Sequence, residues 1–137
     1  MVRLLKYLLP AALFACSAPL AQADEIWDTP RGQMIYLSDV LDAAVFQLHA
    51  EEGEARYYFP GLAGNYSDRS VHHGYWISHE PLDFCSSTLV GLDGFAGTYF
   101  GRATIVFDGP AFPTGWTILD GACWEEPFNA LKGSLEE

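Results

Sequence analysis

The sequence predicts an all-β fold, a small antiparallel barrel or sandwich of seven or eight short strands with one disulfide. Three observations carry that prediction. Short apolar runs alternate with a period of two, Gly, Pro and Asp punctuate them at short intervals, and the exported part of the chain holds two cysteines.

Gln33 to Ser38 is the first candidate strand. The segment that follows has two readings. As a helix over 39–52 it has Ser38 as cap, Asp39 and Asp42 in the first turn, Leu41, Ala44, Val45 and Leu48 at helical spacing and Gly53 as stop. That reading would make the domain α+β. As a strand, Ala43 to Ala50 places Ala44, Phe46, Leu48 and Ala50 on one face with Gln47 and His49 on the other. Glu51-Glu52-Gly53-Glu54 then forms a hairpin turn into the aromatic run Ala55 to Phe59. The β-rich flanks favour the hairpin.

Gly74 to His79 is the next strand, and Leu89 with Val90 marks a weak one. Gly101 to Asp108 alternates clearly, with Ala103, Ile105 and Phe107 opposed to Arg102, Thr104 and Asp108. Trp116 to Trp124 closes the series, with Trp116 and Ile118 on one face and Thr117, Leu119 and Cys123 on the other. The connection 108–115 carries two prolines and two glycines and reads as stiff, with Phe112 folded over the core. From Glu125 onward a short acidic tail is expected to be loosely held.

Residues 1–23 read as an export signal. Arg3 and Lys6 supply the basic start, an apolar stretch follows, and Ala21-Gln22-Ala23 offers the small-x-small cleavage site. The Leu13-Phe14-Ala15-Cys16 run is the alternative, a lipoprotein anchored at Cys16. Removing the signal leaves residues 24–137 as one exported domain of 114 residues, periplasmic or secreted. Five of the seven basic residues then face all 18 acidic ones, a net charge of −13. Such a polyanion repels nucleic acid and anionic lipid, and no apolar run after the signal approaches the ~20 residues of a spanning helix. Cys85 and Cys123 are expected to pair, because an even count in an oxidising compartment forms disulfides and Asp83 makes a poor setting for a reactive thiolate.

Catalytic signatures do not emerge. Ser78-His79-Glu80 has the residue types of a triad, but contiguous residues cannot converge as a triad does. His72 and His73 point to opposite faces of a strand, so they do not chelate one ion, and no metal or cofactor is expected. The 61–73 loop is the longest stretch without strand character, and Asn65-Tyr66-Ser67 within it fits a glycosylation sequon. It concentrates Arg69, His72 and His73 in a chain poor in such groups. With Tyr66 and the nearby Trp76 these form the candidate binding surface. Trp27, Trp76, Trp116 and Trp124 serve either as packing or as the lining of a ligand cavity.

The leading functional expectation is a non-enzymatic domain that binds an unidentified protein or small ligand, with the acidic surface favouring a cationic partner such as a basic host enzyme of the lysozyme type. The alternative is a small ligand-binding barrel or a hydrolase that uses the 61–79 region. A third reading assigns the acidity to solubility alone.

Overall fold

The computed structural model describes residues 25–65, 71–80, 84–109 and 114–136. Residues 1–23, read above as an export signal, lie outside the described residues, as do Tyr66, Arg69, Asp83 and Phe112.

Ten strands form, and the described residues contain no helix: β1 (Ile26–Thr29), β2 (Gly32–Val40), β3 (Ala43–Ala50), β4 (Gly53–Phe59), β5 (His72–Ser78), β6 (Leu89–Val90), β7 (Ala96–Gly97), β8 (Tyr99–Phe107), β9 (Trp116–Asp120) and β10 (Asn129–Leu135). Eight of them close into an antiparallel barrel in the order β1-β10-β9-β8-β5-β4-β3-β2, while β6 and β7 pair as a separate small sheet. Closure leaves the barrel without an unpaired edge strand among the described residues.

The segment with two readings is the hairpin β2–β3, in register from Gly32↔Ala50 to Val40↔Ala43 with one bulge between Tyr36 and Ser38. Its alternation was muted for a physical reason. Every residue from Ala43 to Leu48 is buried, because Ala44, Phe46 and Leu48 face the barrel interior while Val45 is covered from outside.

The end of the chain differs from expectation. In place of a loosely held tail, β10 pairs with β9 from Asn129↔Asp120 to Gly133↔Trp116 and with β1 at Trp27↔Leu135. It is the strand that closes the barrel. Leu131 and Gly133 face inward; Gly133 is required because a Cβ there would overlap the Trp116 indole.

Inward-facing Trp27, Met34, Phe46, Leu48, Tyr57, Phe59 and Trp116 are fully buried and belong to one continuous apolar cluster. Trp27 and Trp116 pack at 5.9 Å between ring centroids, and Phe46 reaches both. These rings therefore serve as core, with large side chains filling a barrel of this strand number.

A second cluster lies on the outer wall. Residues 84–98 fold back over β3, β4, β5 and β8, and Cys85, Phe95 and Leu89 cover Val45, Tyr58, Ile77 and Phe100. Three ties hold this flap. Cys85 and Cys123 form the disulfide. Asp93 accepts from Tyr58 Oη at 2.6 Å and from Arg56 Nη1 at 2.5 Å. Phe95 carries the Arg56 guanidinium 4.4 Å from its centroid and the His79 ring stacked at 3.7 Å. Burial pushes the Asp93 carboxyl up, but the hydrogen bonds from Tyr58, the Phe95 amide and Arg56 outweigh it and hold the group below its usual range.

Candidate functional site at the upper end of the barrel

The strand directions define two ends. The β1–β2 turn (Pro30, Arg31), the β3–β4 turn (Glu51, Glu52), the flap and the β9–β10 loop (121–128) gather at one, here the upper end.

The mouth at this end has a polar floor set into the aromatic interior. Period-two alternation carries it there: Trp116, Ile118 and Asp120 of β9 all point inward, as do Ala55 and Tyr57 of β4. Asp120 is only 6 % exposed. Tyr57 Oη donates to its Oδ2 at 2.9 Å, and Arg31 Nη1 approaches the same oxygen at 3.7 Å. Burial raises the Asp120 carboxyl above its ordinary value, against the pull of Tyr57, Arg31 and Asn129. The Tyr57 hydroxyl is raised too, first by burial and then by the Asp120 charge.

Aromatic rings lead outward from this floor. Trp76 donates from Nε1 to the Gly121 carbonyl at 3.1 Å, and the Tyr99 ring meets its indole edge-on at 4.8 Å. Phe84 then lies 4.4 Å from Tyr99 and is 58 % exposed. Gly101 makes the arrangement possible, since a Cβ there would collide with the Gly121 carbonyl and press on Trp76 Nε1. Burial raises the Tyr99 hydroxyl, and Glu80 reinforces the shift.

The rim is acidic and apolar together. Glu51, Glu52, Glu125 and Glu126 are exposed, Glu80 is half-buried beside Gly53, and Trp124 and Phe128 are each 70 % exposed. The 121–128 loop that carries these two rings is braced by the disulfide at Cys123, by Arg102 donating to the Trp124 carbonyl and pairing with Glu126, and by the Phe128 amide bonded to the Asp120 carbonyl.

Of the residues singled out in the sequence, Tyr66 and Arg69 lie outside the described residues, and the other three take different positions. His72 faces inward and is buried, His73 faces outward with Nδ1 3.0 Å from Thr104 Oγ1, and Trp76 belongs to the mouth interior. His73 and Arg102 do line a shallow outer depression of about 350 Å³ with Glu126 and Pro127. Among the described residues no group of three or more His, Cys, Asp or Glu side chains is placed to hold a metal ion.

Arg31, Tyr57 and Asp120 were missed. A carboxylate at the third inward position of an apolar strand was the signal that could have found Asp120. Fold and site together define a closed eight-stranded antiparallel barrel with a braced, acidic and aromatic rim. Compared with models of protein families, with curated proteins and with solved structures, the chain matches none.

Proposed function

We propose that the protein is an exported recognition domain that binds a basic protein partner through its upper rim, without chemistry of its own. One observation supports this most: two largely exposed aromatic side chains, Trp124 and Phe128, are held among carboxylates on a loop fixed at both ends. Exposed rings on a rigid loop supply contact area at low entropic cost, and aromatic residues dominate binding hot spots. Glu125 and Glu126 on the same loop, and Glu51 and Glu52 at the same end of the barrel, in a chain carrying a net of −11 before any processing, steer a cationic surface toward this end. The disulfide suits an oxidising compartment outside the cytosol.

Calorimetry with a panel of basic proteins, a lysozyme among them, provides the test. At least one is expected to bind at about 20 mM salt and to weaken tenfold or more by about 200 mM, as screening shortens the reach of the rim charges. Trp124→Ala with Phe128→Ala should reduce that affinity by about 30-fold or more. Absence of binding across the panel, or binding indifferent to both salt and the double substitution, would overturn the proposal.

A further inference from the structure

The mouth already holds a cation of the chain's own. Arg31 stands at the tip of the β1–β2 turn and its guanidinium hangs over the Tyr57–Asp120 pair. Its hold on the Asp120 carboxylate is loose. The side chain is 42 % exposed, and its approach to Asp120 of 3.7 Å is longer than a charge-assisted hydrogen bond. Asp120 is the opposite case, a buried carboxylate whose charge is favoured by a cation beside it. Tyr99 and Phe84 add exposed or half-buried ring surface on the way in, and rings of this kind attract guanidinium and ammonium groups. Arg31 itself borders a depression of about 370 Å³ whose other walls include Pro30, His49, Glu51 and Glu52. It gives Arg31 a second acidic position close to the first.

We infer that the barrel mouth is a binding site for a guanidinium or ammonium group, and that Arg31 is a displaceable occupant which swings toward Glu51 and Glu52 when an external cation takes its place on Asp120. This rests on reading the upper end as the recognition face and names the group that the mouth itself takes. The incoming cation can be an arginine or lysine side chain of a partner or a free small amine, and both carry the same chemistry. Displacing Arg31 weakens the external cation's apparent affinity by the fraction of time the mouth is already filled.

Agmatine, a small free guanidinium compound, and a short peptide carrying one arginine are suitable probes by calorimetry. Arg31→Ala is expected to bind agmatine at least tenfold more tightly than the native chain, and adding Asp120→Asn to that variant should abolish the gain. An unchanged affinity in Arg31→Ala, or a gain that survives Asp120→Asn, would overturn the inference. Should Arg31→Ala fail to fold, the Arg31 Nε–H resonance of the native protein reads the same displacement. It must shift on titration with agmatine and stay in place with the neutral urea analogue; no shift with agmatine counts against displacement. Tighter binding of the peptide than of agmatine identifies a partner side chain as the source, and the reverse identifies a free amine. Agmatine is too small to span the rim, so Trp124→Ala with Phe128→Ala should leave its binding unchanged. Loss of rim binding and loss of mouth binding are thereby told apart.

Discussion

Asp120 shows how one carboxylate can set both the stability and the recognition chemistry of a barrel. Its folded value is raised above the unfolded one, so the folded state holds the proton more tightly between the two. Stability contributed by this group is therefore greatest at low pH and falls as pH rises from the ordinary carboxylate range through the raised value, by at most about 1.4 kcal/mol per pH unit. Asp93 runs the other way: its lowered value contributes stability at neutral pH that is lost as pH falls through it. Urea melts from pH 3 to 7 separate the two. Asp120→Asn should make the stability profile rise more steeply with pH than the native one, and a profile parallel to the native one would contradict the buried-carboxylate account. At this scale the sequence was only partly legible. The disulfide partners and the inward positions of Ala44, Phe46, Leu48, Ala103, Ile105 and Phe107 followed from count and period. Arg31 did not, because a turn arginine gives no hint of which strand ends it will overhang.

Among the elements, the flap explains what periodicity could not. Strand β3 also admitted a helical reading because the flap buries its outer face, so Val45 is as apolar as the inward residues on either side. Strand β10 read as tail because its alternation rests on only Leu131 and a glycine, with Lys132 and Ser134 between and after them. The flap also depends on a single covalent tie. Replacing Cys85 and Cys123 by serine reopens a loop closed across 38 positions, and the chain-entropy model then predicts a loss of about 4 kcal/mol. Thermal melts of the double variant should show a clear fall in Tm. An unchanged Tm would mean that Arg56, Asp93 and Phe95 hold the flap without it.

For the molecule as a whole, cooperativity follows from closure. Removing residues 129–137 would leave β1 and β9 unpaired on facing sides and would expose the Trp27, Ile118 and Trp116 surfaces that Leu131 helps to cover. Such a truncation should lose its sigmoidal melt and bind a hydrophobic dye, whereas a chain ending in a dispensable tail would keep the native transition. Fold class was legible at this scale because short amphipathic strands admit few arrangements, although β1 and β10 of the barrel were not read as strands. The choice of barrel over sandwich was not, since it turns on the β1–β10 pairing between the two ends of the described chain.

That same pairing has a practical corollary. The Glu136 amide bonds to the Ile26 carbonyl, so the chain enters and leaves the barrel at neighbouring points, and β10 runs away from the upper end as it leaves. A carrier, surface or bilayer attached through either terminus would hold the barrel by its lower half and present the Trp124 and Phe128 loop outward to the medium. The geometry is that of a probe on a stalk, suited to oriented immobilisation without masking the face that would be assayed.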